Sequence, residues 1–528
     1  MPVPELQILT SPLGGSALAR AAIRGDSQVS GWYAPLPADV DGWRERAHAA
    51  MSRLGSGWLE RLEPAFDATG EAAANLRRVA QQGGVLVTTG QQPGLFGGPA
   101  YAWVKAMSAA ALALELESML GIPVAPVFWA ATDDTDFAEA SDTWIATPSG
   151  AEHLVLPPTA TPGRMLEHTE LPPEMDALRS RLRAACGSCV DDVPLRVVDE
   201  AWQEGRTIGD AYVRQLRALL EPLGMAVLNA THPAVRVSMD AVVRRALREA
   251  PAADAAISER CSDIEEQGFT PQVSPVPGLS LVFEDSPDGK ARIPIADADS
   301  RAANASTGSL GPNVLLRPVA EQAILPTIAY VAGPGELSYF AEVSAVARAI
   351  GEPVPLALPR HSITIVEPHV RRTLERLGLA PDDFLDAHYP ERKLAREAVP
   401  AEVTAKVAEL RAAVDGAMTA LERLSEGGTD SALPPPAVFR GAASQMEHRI
   451  ARLERRVAAA AARADEKGQR DLAMLRGALT PGGMRQERAL NLVPLFARHG
   501  RGLLTAIREA AAPHARALLS GSGVTGGV

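Results

Sequence analysis

Cysteine is scarce. Three residues, Cys186, Cys189 and Cys261, stand in a chain of 528; they cannot build a disulfide framework and fit a reducing compartment, so a cytoplasmic protein is expected. Positive charge is in deficit, with 52 Lys and Arg against 64 Asp and Glu and a net charge of -12. Such a field repels polyanions, which argues against nucleic acid as a partner. No long uncharged apolar run occurs: the longest, 106–120, is broken by Glu115 and Glu117, so no membrane segment is expected. The opening MPVPELQILT lacks the basic stretch followed by an apolar one that marks a signal peptide. The closing GSGVTGGV has nothing to bury and reads as disordered. What remains is ordinary globular composition, 46% hydrophobic and 22% charged. The length predicts about three domain-sized units, or one large core carrying insertions.

The clearest segment is 84–131. It reads as a strand (85–89), a Gly/Pro-rich loop (90–99), a helix (100–120) and a second strand (124–131), a βαβ unit whose continuous apolar strands suit a parallel sheet covered on both faces. Further strands are predicted at 225–228, 314–316, 327–331 and 354–358, with helices at 201–220 and 337–349 between them. The fold class is therefore α/β with a doubly wound parallel sheet. Two stretches, about 150–199 and 252–311, turn rich in Pro, Gly and Ser and read as insertions. The second holds a hairpin, LSLVFED and KARIPI around Ser286-Pro287-Asp288-Gly289.

After residue 400 the period changes. Val403, Val407, Leu410, Val414, Met418 and Leu421, then Met446, Ile450, Leu453 and Val457, recur at three and four, which predicts two heptad helices. The joining SEGGTDSALPPP stops helical propagation, giving an antiparallel α-helical coiled-coil hairpin. Its seam is narrow, so more burial is expected, either on the chain's own core or on a second copy as a homodimer.

Three clusters carry candidate chemistry. The first is Thr88 to Pro99, where Thr89, Gly90, Gln91, Gln92, Gly94, Gly97 and Gly98 mark the strand-to-helix corner. Backbone amides there can approach an anion, and a purely structural turn is the competing reading. It carries neither the Gly-Lys-Ser/Thr of a Walker loop nor the G-x-G-x-x-G spacing. The second is Thr132-Asp133-Asp134-Thr135-Asp136, acids at the rim where ligands of open α/β sheets bind, or a solvated loop with a helix cap. The third joins Arg317 to Gly333, Gly335, Glu336 and Tyr339, repeating the grammar of strand, glycine turn and helix start, with Arg317 a carboxylate or phosphate fork or the partner of an acid. Lys105 lies one helical turn beyond the glycine loop and is placed either to reach a phosphate or on an exposed helix face. The single Cys186-Gly-Ser-Cys189 lacks a second pair, so no structural metal is expected. H-E-x-x-H and G-x-S-x-G are both absent from the sequence.

TGQQPGLFGGPAY, PVFWAATDDTDF, NVLLRPVAEQAILPTIAYVAGPGELSYF, LALPRHSITIVE and RQERALNLVPLFARHG occur in that order. With them the chain resembles the family of bacillithiol biosynthesis cysteine-adding enzymes, BshC. The resemblance implies a Rossmann-like core with connecting-peptide insertions (1–385), a helical coiled-coil domain with a returning motif (386–500) that dimerises, and a terminal helix and tail (501–528). It further implies a cysteine ligase that joins L-cysteine to glucosaminyl-malate, with a non-catalytic scaffold relative or a ligase for another amino-sugar as alternatives. The chain departs from the family's acid-Asp-His-Asp run with Asp133-Asp134-Thr135-Asp136. An amide-forming ligase needs an activated carboxylate, normally through ATP or another adenine nucleotide, and donors for its charge, for which the loop 90–98 is the expected holder. It also needs a carboxylate that binds the attacking ammonium and accepts its proton, and Asp134 and Asp136 are the candidates.

Overall fold

The computed structural model describes residues 6–55, 57–158, 162–286, 289–427 and 433–521. Close contacts divide the chain into two units, one of 1–145, 153–366 and 486–528 and one of 146–152 and 367–485. The division between core and arm thus falls at 366/367, ahead of the 385/386 boundary that the family resemblance implied. The returning motif and terminal helix both belong to the first unit.

In the first unit five parallel strands form the central sheet: β1 (Val85–Gln91), β2 (Val124–Ala130), β3 (Ala226–Asn229), β4 (Thr327–Ala332) and β5 (Ala357–Pro359). Their order is β5-β4-β1-β2-β3. The chain enters at the middle, builds outward through β2 and β3, then crosses over to β4 and β5. The crevice between β1 and β4 is therefore the switch point at which such sheets take ligands. All residues of β2 and β4 are buried, in keeping with their mostly apolar composition. Alternation assigns the faces: Leu86, Val127, Trp129 and Leu228 join one cluster with Leu62 and Phe66 of helix Trp58–Phe66 and Leu76 of helix Gly70–Gln82. Helix α1 (Ala100–Leu120) packs on β1 and β2, and the terminal helix Gly502–Leu519 packs on α1.

Three expected elements change. Residues 314–316 form a turn, because the Asn313 side chain accepts from the amides of Leu315 (3.1 Å) and Leu316 (3.0 Å) and opens a helix, Arg317–Ile324. The strand expected at 354–358 shrinks to β5, since Pro353 and Pro355 offer no N–H to a ladder. The helix expected at 201–220 is two, Val193–Ala201 and Ile208–Leu220. Gly205 at φ +80° lies between them, and Thr207 caps the second. The second insertion contains the expected hairpin, Leu279–Ser286 with Gly289–Pro294, extended by Leu310–Pro312 into a three-stranded antiparallel sheet. Its turn residues Pro287 and Asp288 lie outside the described residues, as do 428–432 of the interhelical link and the tail 522–528.

In the second unit α3 (Ala401–Gly427) and α4 (Pro436–Ala464) run antiparallel. Arg411 pairs with Glu447 and Glu454, while Arg440 pairs with Glu422 nearer the link. Of the described residues of these two helices only Ile450 is buried.

Candidate functional site

A cavity of about 820 Å³ opens at the carboxyl ends of β1 and β4. Its floor is made where three segments meet. β1 ends in Gly90 and Gln91, the first turns of α1 supply Tyr101 and Lys105, and the helix after β4, α2 (Pro334–Ala349), supplies Glu336. Gly90 is required because a Cβ there would stand 2.8 Å from the Trp129 carbonyl oxygen of the neighbouring strand. Lys105 is 1% exposed. Its ammonium donates to the Gly90 carbonyl, to Gln91 Oε1 (3.3 Å) and to Glu336 Oε2 (2.6 Å). Glu336 also accepts from the Tyr330 hydroxyl (2.6 Å) and from the Gly333 amide (2.6 Å), the reciprocal half of a capping box at the start of α2. Burial opposes the charge of Glu336, but Lys105, Tyr330 and the Gly333 N–H outweigh it and hold the carboxylate below its ordinary pKa. Burial pulls Lys105 down, with Glu336 opposing.

Arg317 forms the adjoining wall. It donates to Glu321 Oε2 (2.7 Å), one turn along its own helix, and lies over the Tyr330 ring at 5.2 Å. Tyr339 completes this wall and is nearly buried. Arg360 lies at the end of β5 and meets Glu487 in a bidentate pair, 2.7 Å on both arms, with both side chains buried.

The acid run behaves as three different groups. Asp133 pairs with Lys290 of the hairpin at 3.0 Å and stands 3.6 Å from Arg236; burial works against its charge, but these two cations prevail and set its pKa at about 2. Asp134 lines the cavity, and its Oδ1 accepts from the Asp136 amide (2.8 Å); burial pushes its pKa up, helped by the charge of Asp133. Asp136 is exposed, outside the cavity lining, and caps the short helix Phe137–Ala140 by accepting from the Glu139 amide (3.0 Å). Glu139 lines the cavity and accepts from Tyr101 (3.0 Å).

The glycine turn faces away from this cavity. Asn491 Nδ2 donates to the carbonyls of Leu95 and Phe96 (both 3.2 Å) and Gly98 (3.4 Å), and Gln215 Nε2 donates to Phe96 O (2.9 Å). Gly97 sits at φ +90°, where a Cβ would meet the Trp103 ring at 2.7 Å. The first amide of α1, at Ala100, is engaged by the Leu490 carbonyl at 2.8 Å. The motif's glycines let the chain fold tightly against α1 and the returning segment, with the carbonyls of 95, 96 and 98 and the Ala100 amide engaged by the protein itself.

The N-terminal Rossmann-like domain of the bacillithiol biosynthesis BshC family matches residues 1–298 and 297–361, and that family's C-terminal coiled-coil domain matches 363–517. The chain belongs to the BshC family. Curated relatives are about 30% identical to it over the aligned residues. One from Solibacter usitatus, named "Putative cysteine ligase BshC", is 31% identical over 81% of this chain and 82% of its own. Those of the same name from Koribacter versatilis (30%, over 86% of both chains) and Symbiobacterium thermophilum (29%, over 94% and 95%) extend the likeness over nearly the whole length.

Of the residues expected from sequence, this BshC-family chain brings Gly90, Gln91, Gln92, Lys105, Asp133, Asp134, Arg317, Gly333, Gly335, Glu336 and Tyr339 to one cavity. Thr89, Gly94, Gly97, Gly98 and Asp136 are not among its lining residues; the Thr89 hydroxyl donates to Val331 O (2.8 Å) between strands. Lys105 is neither an exposed lysine nor a free phosphate ligand, since all three of its donors are engaged. Sequence reasoning missed Tyr101, Glu139, Lys290, Arg292, Arg360 and Arg488 as site residues. Tyr101 and Glu139 each lay within a few residues of a motif already singled out, so the first turn of α1 and the helix after the acid run held the signal. Arg360 and Glu487 are 127 positions apart, and no local pattern joins them. Cys186 and Cys189 stay apart from the site: Cys186 is buried, its thiol pushed by that burial up to about 12, and Cys189 is exposed. Among the described residues no group of three or more His, Cys, Asp and Glu side chains stands close enough to hold a metal ion, and no helix is long and apolar enough to cross a membrane.

Proposed function

We propose that the chain is a cytoplasmic ligase of bacillithiol biosynthesis, joining the carboxyl carbon of L-cysteine to the amino group of glucosaminyl-malate with ATP as the activator. The observation that carries this reading is the composition of the cavity at the sheet's switch point in a BshC-family chain. Carboxylates Asp134 and Glu139 face it, as a cationic amine needs. Arg292 and Arg488 face it with no carboxylate within 4 Å among the described residues, and Arg292 is held in place by the Ser280 carbonyl (2.8 and 3.1 Å). An acceptor bearing one ammonium and a malate dicarboxylate matches both signs. Asp134 binds and orients the ammonium, while the Asp133 charge is matched by Lys290. The glycine turn, whose carbonyls are taken by Asn491 and Gln215 and whose Ala100 amide is taken by Leu490, is poorly suited to a nucleotide phosphate. Thiol profiling of cells lacking the protein tests the reading: glucosaminyl-malate should accumulate and bacillithiol disappear, and unchanged pools of both would refute it.

The arm supports a homodimer in this reading. Val403, Leu410 and Leu424 of α3, with Met446 and Leu453 of α4, recur at multiples of seven beside the seam and stay 37–63% exposed within the chain. A second copy laid on this stripe would bury it. Light scattering should give a dimer that Leu410→Lys with Leu453→Lys converts to monomer; a wild-type monomer at micromolar concentration contradicts it.

A further inference from the structure

The polar groups along the cavity floor form a chain with only one possible direction. An ammonium has donors and no acceptor, so Lys105 can only give to Gln91 Oε1 (3.3 Å). Gln91 must then turn its amide nitrogen outward, and it donates to the Tyr101 hydroxyl oxygen (3.1 Å). With that oxygen accepting, the single phenolic proton points to Glu139 Oε1 at 3.0 Å. Glu139 is thereby required to accept, which a carboxylate does from both oxygens. The other acids of the rim are committed: Asp133 to Lys290, Asp136 to the helix cap, and one oxygen of Asp134 to the Asp136 amide.

We propose that Glu139 is the general base that takes the proton from the acceptor's ammonium, with Tyr101 and Gln91 as positioning residues that hold it ionised and aimed into the cavity. The inference rests on the ligase reading above. One proton passes from the ammonium nitrogen to a carboxylate oxygen of Glu139. The N–H bond breaks with its electron pair left on nitrogen, an O–H bond forms, and the two opposite charges cancel. The neutral amine then holds the lone pair that amide formation uses. The groups facing Glu139 are Tyr101 and Gln92, which donate to it, and Asp136 and Asp134, whose charges repel it; Arg488 lies near Tyr101. Partial desolvation at the rim is the largest influence and moves its pKa upward from the ordinary glutamate value, with the Tyr101 hydrogen bond as the main restraint.

Two measurements on the full chain decide it. In protein labelled with ¹³C at the glutamate side-chain carboxyl, the Glu139 resonance is assigned by its loss in Glu139→Gln. It should titrate above an ordinary glutamate and move higher still in Tyr101→Phe, because a donor to the charged form is gone. An unshifted titration, or one indifferent to Tyr101→Phe, overturns the tie. In cysteine coupling, Glu139→Gln should lower kcat by about 10²-fold or more with KM for cysteine little changed, Glu139→Asp should recover part of the rate, and Tyr101→Phe should move the acid limb of kcat/KM upward. Coupling by the wild type that Glu139→Gln retains overturns this inference alone. A wild type that does not couple overturns the ligase reading and the base role with it.

Discussion

The rim of the parallel sheet and the helical arm both carry many charged residues, and they use them in opposite ways. At the rim, Lys105 with Glu336, Arg317 with Glu321, and Arg360 with Glu487 sit largely out of water, each carboxylate or cation meeting partners at 2.6–2.7 Å. In the arm, Arg411 with Glu447 and Glu454 and Arg440 with Glu422 remain on the surface, while leucines and a methionine beside them stay half-exposed. Desolvated charges are costly unless every partner is present, so the rim is fixed in one arrangement; solvated pairs gain little and leave the arm's helices to be held by apolar contact. The difference ties the fixed geometry of the cavity to the sheet and leaves the arm to apolar contact.

Breaking Arg360 should have the largest effect. Arg360→Ala strands Glu487 in the core and is expected to cost about 3–5 kcal/mol, read by chemical denaturation, whereas the double change Arg360→Met with Glu487→Met should cost less than the single one. Next comes protonation of His361, which lies beside this pair, accepts or donates with Thr10 Oγ1 (3.1 Å) and faces His514 with ring centroids 5.5 Å apart. Burial, then His514 and Arg360, lowers its pKa to about 4 from 6.5. The native state therefore binds fewer protons than the unfolded chain between those values. The stability this group contributes is complete above pH 6.5, falls as pH drops, and is gone below 4, by up to about 3 kcal/mol. The difference in stability-versus-pH slope between wild type and His361→Gln measures it, and equal slopes would contradict the burial assigned to His361.

Asp136→Ala should lose only a helix cap, about 1 kcal/mol, and keep cysteine coupling, whereas Asp134→Asn should keep its fold and lose coupling. A reversed pair of results would move the chemistry back to Asp136. Smallest of all, Arg411→Ala in the arm should leave the thermal melt of the protein unchanged within error; a melt shifted as far as by Arg360→Ala would erase the contrast between the two regions.

The β1–α1–β2 unit was legible because its apolar runs, glycine-rich corner and helical stretch are all local. The two antiparallel arm helices were legible from their period alone. What sequence hid was direction. Glycines announce that the chain turns tightly, as Gly97 does, but not which side its carbonyls face, and Asn491 claims them from nearly four hundred residues away. Three acids within four residues look equivalent in sequence, yet Lys290 from the insertion's hairpin and the Glu139 amide give Asp133 and Asp136 separate tasks. Asn313 turned an apolar triplet into a helix start because its side chain competes for backbone amides, a local effect that hydrophobicity alone does not reveal.

The most direct test is a structure of the full chain with L-cysteine and glucosaminyl-malate bound. The account predicts the acceptor in the sheet-rim cavity, its ammonium between Asp134 and Glu139 and its carboxylates toward Arg292 and Arg488. Acceptor bound instead at the glycine turn 94–98, or anywhere else away from this cavity, would contradict it.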